Sequence, residues 1–299
     1  MVKVSIGVPV YNVAEYLPQC FDSIIKQTFT DFEVIMVEDG STDGKSFEIC
    51  QDYANRDKRF KLIYQENSGR SAARNTALKY MTGEYITWID SDDWVEPEYL
   101  EALLKAQAKS GADIVNMGHK GFYTDGNFYV ADYEAVYGRY PNYIIPFKDA
   151  IHDIIWASLN MVTVWGSLAK RKLWKGVFFP KGVDIEDQGT KFKLYFKSSK
   201  IMAIPATHYI YRVRKGSIMN PYDETLEDKI RKTDDMAKGL EVLLYYADVT
   251  GFDIDFCFRE FLGRMEYETQ SNKLNDGDKI LFKEYIENYK INLEKYWKH

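Results

Sequence analysis

Val4-Ser5-Ile6-Gly7-Val8-Pro9-Val10 is an apolar run of strand length, and in the segment after it, 14–27, Leu17, Phe21, Ile24 and Ile25 recur at helical spacing. The cycle then repeats. Residues 32–37, 60–64, 85–89 and 113–117 read as further strands, with 43–55, 71–81 and 97–110 as the helices between them. Strands separated by helices of roughly 10 to 15 residues imply right-handed crossovers, hence an α/β fold with a mostly parallel sheet flanked by helices. Ligands of such sheets sit outside the carboxyl ends of the strands.

Downstream the pattern changes. Asp125-Gly126 in the middle of 118–132 is a hairpin signal, placed here at the sheet edge. Residues 148–160, 168–175 and 187–197 read as helices and 201–214 as extended chain. After Pro221 the chain becomes charged and helical over 224–248, 256–272 and 279–296. A boundary near Asn220 divides a first region, 1–220, from a C-terminal helical region, 221–299. In the last helix Ile280, Phe282, Tyr285, Ile286, Tyr289 and Leu293 recur every three to four residues. One face should therefore bury against the first region, a second copy of the chain or a membrane surface; mixed Lys and Glu do not make the basic face that anionic lipid prefers.

The chain has 299 residues, 45% hydrophobic and 28% charged, which is the composition of a folded soluble protein of one or two domains. Its 39 basic and 45 acidic side chains leave a net charge of −6, so no global positive field gathers a polyphosphate, and nucleic acid is excluded as a partner. Cys20, Cys50 and Cys257 are widely spaced and odd in number, which argues against a disulfide framework or zinc cluster and for a reducing compartment. No export leader opens the sequence, and no apolar run reaches the roughly 20 residues of a membrane helix. A cytoplasmic protein is expected, with any membrane contact peripheral and at the inner face.

Three polar turns follow strands. In Ile89-Asp90-Ser91-Asp92-Asp93 the carboxylates crowd at a strand end, where repulsion calls for a cation or a hydrogen-bond network. Mg²⁺ or Mn²⁺ prefers oxygen ligands and bridges carboxylates to phosphates; the alternative is that Asp92 or Asp93 caps the next helix. In Glu38-Asp39-Gly40-Ser41-Thr42-Asp43, Asp43 can cap a helix while Asp39 faces the crevice. Asn67-Ser68-Gly69-Arg70-Ser71-Ala72-Ala73-Arg74-Asn75 runs a polar turn into a helix, and a helix N-terminus beside a cation suits anions. Each turn alone has a structural reading. Together, at strand ends of one sheet with Pro9, Val10, Tyr11 and Asn12, they outline a nucleotide site.

These motifs, in order and spacing, resemble the family 2 glycosyltransferases, which have the Rossmann-like GT-A fold; the resemblance covers about the first 115 residues. It implies a UDP-sugar donor, with Pro9 and Tyr11 around the base and Asp39, Asn67 and Arg74 reading base and ribose. It implies that Asp90-Ser91-Asp92 is the D-x-D motif, Asp90 near ribose or sugar and Asp92 on Mn²⁺ or Mg²⁺, with Asp90 in support. Glu38 departs from the Asp-Asp pair common there. Val183-Asp184-Ile185-Glu186-Asp187 is similar to the family's Glu-Asp motif, which makes Asp187 the base that deprotonates the acceptor hydroxyl; the alternative is an acidic pair at a helix N-terminus. Arg212 and Ser217 match a basic loop that contacts the diphosphate.

His208 is open between a third metal ligand and a structural strand residue. Trp165 either stacks on a sugar or is a core aromatic, and stays outside the catalytic set. The resemblance implies an inverting transfer, in one displacement, to a glycan, lipid-linked or protein-linked acceptor in surface polysaccharide or glycoprotein synthesis. A sugar-phosphate nucleotidyltransferase would want a glycine-rich basic loop after the first strand, and residues 9–15 have none. A non-catalytic carbohydrate-binding protein would not need Asp90, Asp92 and Asp187.

Overall fold

The computed structural model describes residues 2–132, 134–140, 143–158, 161–214, 225–270 and 274–297. The alternation read from the first half is present: β1 (Val4–Val10), α1 (Leu17–Ile25), β2 (Phe32–Glu38), α2 (Ser46–Arg56), β3 (Phe60–Tyr64), α3 (Arg70–Tyr80) and β4 (Tyr85–Trp88). A two-residue strand β5 (Trp94–Val95), then α4 (Tyr99–Ser110), β6 (Ile114–Tyr123) and β7 (Phe128–Ala131) follow. The middle of the chain holds α5 (Glu134–Tyr137), β8 (Ile144–Ile145), α6 (Phe147–Ile155), β9 (Ser167–Lys170), α7 (Lys191–Lys197) and β10 (Ile201–Val213). Three longer helices close it: α8 (Leu226–Thr250), α9 (Ile254–Glu268) and α10 (Asp276–Trp297).

Among the described residues one ten-stranded sheet forms, in the order β3-β2-β1-β4-β9-β6-β10-β5, with β7 on β6 and β8 on β10. β1 runs parallel to β2 and β4, β2 to β3, and β6 to β10. Every residue of β1 and β2 is buried, because helices cover both faces. Gly7 lets the sheet close on Trp88: a Cβ there would lie 2.3 Å from the indole ring. On one face Leu17, Cys20 and Phe21 of α1 and Leu100 and Leu103 of α4 form a core. On the other, Ala73 and Ala77 of α3 and Ile151 and Ile154 of α6 share a single core with Leu240, Leu244 and Phe282 of the C-terminal helices. No helix among the described residues is long and apolar enough to cross a membrane.

Two expectations are corrected. The segment 168–175 is not a helix: β9 slots antiparallel between β4 and β6, followed by a 3-10 turn, Arg171–Trp174. Leu168, Leu173 and Trp174 mimic helical spacing, yet the backbone bonds of this stretch go to strands far away in sequence, which no local pattern reports. The hairpin of 118–132 does not start from a sheet edge, because β6 lies inside the sheet, flanked by β10 on one side and by β9 then β7 on the other. The boundary near Asn220 lies outside the described residues.

Glu33 illustrates how the β1–β2 layer is locked. Its buried carboxylate accepts from Ser5 Oγ at 2.7 Å, Thr82 N at 2.6 Å and Lys61 Nζ at 2.7 Å. Burial pushes its pKa up, but the bonds from Lys61, Ser5 and Thr82 outweigh it and hold the group at about 2, against an ordinary 4.5. A depressed carboxyl stabilises the fold fully above the unfolded value and loses that contribution as pH falls towards the folded one. Glu33→Gln is therefore expected to cost roughly 2 to 3 kcal/mol at pH 7, with the gap to the parent protein closing between pH 4.5 and 2 in denaturant titrations. A pH-independent gap would contradict this.

Candidate active site

The β2–α2 and β3–α3 turns are tied together at the carboxyl end of the sheet. Asp39 N donates to Val10 O at 2.9 Å, continuing the β1–β2 ladder by one bond. The Asp39 carboxylate, 2% exposed, accepts from Gln65 Nε2 at 2.6 Å, Ser68 N at 3.0 Å and Gly69 N at 2.8 Å. It thus anchors the loop that carries Asn67, rather than lying open to the crevice as the sequence suggested; a buried carboxylate needs such donors. Gly40, at φ +68°, brings the turn against Asn67, where a Cβ would lie 2.7 Å from its backbone nitrogen. Asn12, at φ 52°, accepts from Thr42 N at 2.7 Å and Asp43 N at 3.1 Å, and so joins β1's end to the same turn. Asp43 serves α2 as expected, accepting from Ser46 N at 2.9 Å. Pro9 is buried in β1, whereas the Tyr11 ring is 44% exposed at the rim.

Arg74 is the hub. It is 1% exposed, and its guanidinium reaches Asp90 Oδ1 at 2.7 Å, Glu186 Oε1 at 2.6 Å and Asp187 Oδ1 at 2.5 Å. Its flat face lies over Phe179, 5.3 Å from the ring centre. One helical turn earlier, Arg70 donates to Glu186 Oε2 at 2.7 Å and to Asp184 O at 2.6 Å. Two cations at i and i+4 on α3 thus gather three carboxylates from chain segments more than 90 residues apart. Asp187 Oδ2 also accepts from Val164 N at 3.1 Å. Burial pushes the Asp187 pKa up to about 6; Arg74 opposes the rise, and the charges of Glu186 and Asp90 assist it. The fully buried Lys191 beside it donates to Thr163 O at 2.6 Å and Ser167 Oγ at 2.8 Å, and burial lowers its pKa to about 7 against the pull of Asp187.

The acidic loop after β4 faces the end of β10. Asp92 Oδ2 meets Arg214 Nε at 3.0 Å, and Arg212 Nε donates to the Asp92 carbonyl at 2.7 Å. The buried Asp93 accepts from Tyr209 OH at 2.7 Å and Arg212 N at 2.8 Å; burial, then Asp92 and Asp90, push its pKa well up. Neither Asp92 nor Asp93 caps α4, because Trp94–Val95 instead pairs with β10. Ser91 is buried in the loop. Arg212 does not project into the crevice: its guanidinium lies over Trp94, 4.6 Å from the ring centre, and over Tyr16, and bonds Gln19 Oε1 at 2.6 Å. Ser217 lies outside the described residues. His208 pairs with Glu96 at 2.9 Å, away from Asp92, and Trp165 is a buried ring stacked on Tyr209 at 4.6 Å. Both take the structural alternative.

Arg74, Asp90 and Asp187 are thus in direct contact, Asp92 shares the loop of Asp90, and Asp39 holds the Asn67 loop at the N-terminus of the helix that carries Arg74. Arg70, Glu186, Asp93 and Arg214 belong to the same network; the sequence placed them inside the polar turn, the Glu-Asp motif, the acidic loop and the basic loop without giving them a site role. Among the described residues no three His, Cys, Asp or Glu side chains cluster as a metal site. The donor set at hand, the carboxylates of Asp90 and Asp92, fits Mg²⁺ or Mn²⁺ completed by phosphate and water oxygens, and is too small for a cation held by protein alone.

A Rossmann-like sheet whose acidic loops converge at its carboxyl end, joined there by a carboxylate from the chain's second half, defines a transferase of the GT-A type. The chain belongs to glycosyl transferase family 2, whose sequence model matches residues 5–173. It is 39% identical over 228 residues to the glycosyltransferase GlyA of Streptococcus pneumoniae, covering 74% of this chain but only 32% of GlyA, so it spans about a third of that relative's length. It is 35% identical over 226 residues to GlyG of the same organism, covering 72% of each. The fold is shared with residues 1–349 of S. aureus TarS, solved with UDP-GlcNAc, at a TM-score of 0.69 and 22% identity over 88% of this chain and 71% of that one.

Proposed function

We propose that the chain is an inverting, divalent-cation-dependent glycosyltransferase that moves a sugar from a UDP-sugar to a hydroxyl of a glycan, lipid-linked or protein-linked acceptor in surface polysaccharide or glycoprotein synthesis. The observation that carries this reading is the Arg74 network, which fixes Asp187 next to the acidic loop of Asp90 and Asp92. A base and a diphosphate-binding loop held by one guanidinium keep the attacking hydroxyl and the leaving group in register. The exposed Tyr11 ring, with Pro9, Asn67 and the loop that Asp39 anchors, would frame the base; the uridine donor bound by TarS is consistent with this. Asp92, with Asp90, would hold Mn²⁺ or Mg²⁺, whose chemistry is to neutralise charge on the departing diphosphate. Arg212 and Arg214 hold the Asp92 loop from β10 and supply positive charge beside it, and Ser217 would contact the diphosphate as the family resemblance implies.

Asp187 takes the acceptor proton, and a carboxyl raised to about 6 is a better base than an ordinary one while still ionised at neutral pH. Direct displacement from the face opposite the diphosphate inverts the anomeric carbon. The activity limb should accordingly fall as pH drops through about 6; a limb near 4, measured as kcat/KM against pH, would remove Asp187 from this role. Donor hydrolysis in a panel of UDP-sugars with and without Mn²⁺ or Mg²⁺ tests the whole reading. Asp92→Ala should raise the cation concentration needed for half-maximal hydrolysis by about tenfold or more, equivalent to about 1.4 kcal/mol. Unchanged cation dependence would refute the ligand assignment.

The C-terminal region 221–299 is proposed to brace the catalytic region rather than to act alone. Its helices enter the same core as α3 and α6, so it stiffens the helix that carries Arg70 and Arg74.

A further inference from the structure

The β6–β7 hairpin projects from the interior of the sheet beside the acidic loop and presents aromatic side chains to solvent. Pairing places Tyr211 of β10, Gly121 of β6 and Tyr129 of β7 abreast, with Tyr209, His119 and Ala131 in the next row inward. Paired residues share a sheet face. Gly121 has a specific job in that row, because a Cβ there would lie 1.9 Å from the Tyr129 ring; its absence lets the phenol lie flat across the strand. Tyr123 follows outward, its ring centre 5.9 Å from that of Tyr129. Tyr129 and Tyr123 are 38% and 40% exposed.

The row begins at the chemistry. Trp165, next to the Val164 amide that holds Asp187, stacks on Tyr211 with ring planes 7° apart and meets His119 edge-on at 5.3 Å. His119 Nε2 lies 3.2 Å from the Tyr129 hydroxyl. Tyr209, two residues before Tyr211 on the same face, donates its hydroxyl to Asp93 Oδ2 at 2.7 Å, so the row borders the acidic loop. The row thus runs from Trp165, buried beside the proposed base, through Tyr211 to the exposed rings of Tyr129 and Tyr123.

We propose that Tyr211, Tyr129 and Tyr123 form a ledge that binds the acceptor as a carbohydrate of at least two sugar rings, the inner one presenting its hydroxyl to Asp187 and the outer one lying along Tyr129 and Tyr123. A pyranose has an apolar face and a hydroxyl edge, and tyrosine matches it with an apolar ring and a polar tip. Protein interfaces are rich in Tyr too; the continuity of this row with Asp187, through Trp165 and the Val164 amide, favours the acceptor over a protein partner. This assignment rests on the transferase reading and adds the acceptor's class to it.

The test uses methyl glycosides of glucose, galactose, N-acetylglucosamine and N-acetylgalactosamine, with the matching disaccharides, titrated into the protein holding UDP. At least one disaccharide should bind about tenfold more tightly than its monosaccharide. Tyr123→Ala and Tyr129→Ala should abolish that advantage with the UDP affinity unchanged. Gly121→Ala should do so too, by displacing the Tyr129 ring without deleting an aromatic, and circular dichroism checks that each variant is folded. Binding of UDP with no saccharide of the panel bound, or an advantage that survives both tyrosine variants, overturns the ledge. So does a variant that changes oligomeric state in sedimentation instead of saccharide affinity, since the face would then be an interface between copies. Failure of the donor reading looks different: no UDP binding and no donor hydrolysis in the parent protein.

Discussion

Arg74→Ala is expected to abolish sugar transfer and to lower stability by roughly 3 to 5 kcal/mol. Asp90, Glu186 and Asp187 all meet this guanidinium, and the Glu186 side chain is only 2% exposed. Without the cation, like charges would be left facing one another in a site that water hardly enters, and leaving a buried charge without its partner costs far more than a surface pair contributes. Arg70 cannot substitute, because its bonds go to Glu186 and the Asp184 carbonyl and reach neither Asp90 nor Asp187. The attraction is mutual: although burial opposes it, the charges of Asp187, Asp90 and Glu186 raise the Arg74 pKa beyond its ordinary value. Arg74→Lys keeps a charge but not the planar fork, so it should recover part of the stability and little of the activity. Urea denaturation beside a UDP-release assay measures both effects; a near-parental denaturation midpoint for Arg74→Ala would contradict the hub.

Asp187→Asn is expected to reduce turnover by about a thousandfold while leaving UDP affinity within about twofold. The amide keeps the shape, but its single oxygen can accept from Arg74 or from Val164 N and not from both, and it cannot take a proton. The sign of the stability change separates chemistry from unfolding. A carboxyl whose folded pKa is raised to about 6 is ionised at a cost to the fold, and stability is lost as pH rises from about 4 through 6. Removing that charge should leave the protein at least as stable at pH 7. Loss of UDP binding together with turnover would show that Asp187 organises the donor site instead.

The parts of this site that could be read in the sequence are those set by neighbouring residues. Val4–Val10 and Phe32–Glu38 announce buried parallel strands because both faces are covered, which makes most positions apolar. Asp43 could be recognised as serving the start of α2, although from two residues ahead of the cap position, because its partners Lys45 N and Ser46 N lie only two and three residues on. The strand Ser167–Lys170 could not, since its hydrogen bonds go to Tyr85, Ile86 and residues 114–116. Asp39 could be identified as important, but its partners, Gln65, Ser68 and Gly69, were hidden by the intervening α2 and β3.

Strand–helix alternation, the acidic turns after β2 and β4 and the distant Glu-Asp pair were determined by the sequence alone, because periodicity and turn chemistry act over a few residues. Tertiary structure alone decided that Arg74 bridges Asp90 to Asp187, that His208 turns to Glu96 and that Arg214 meets Asp92. The physical reason is that a charge is neutralised by whatever lies within a few ångströms of it. Closing a sheet brings together residues such as Arg74 and Asp187, 113 positions apart, that no local pattern relates.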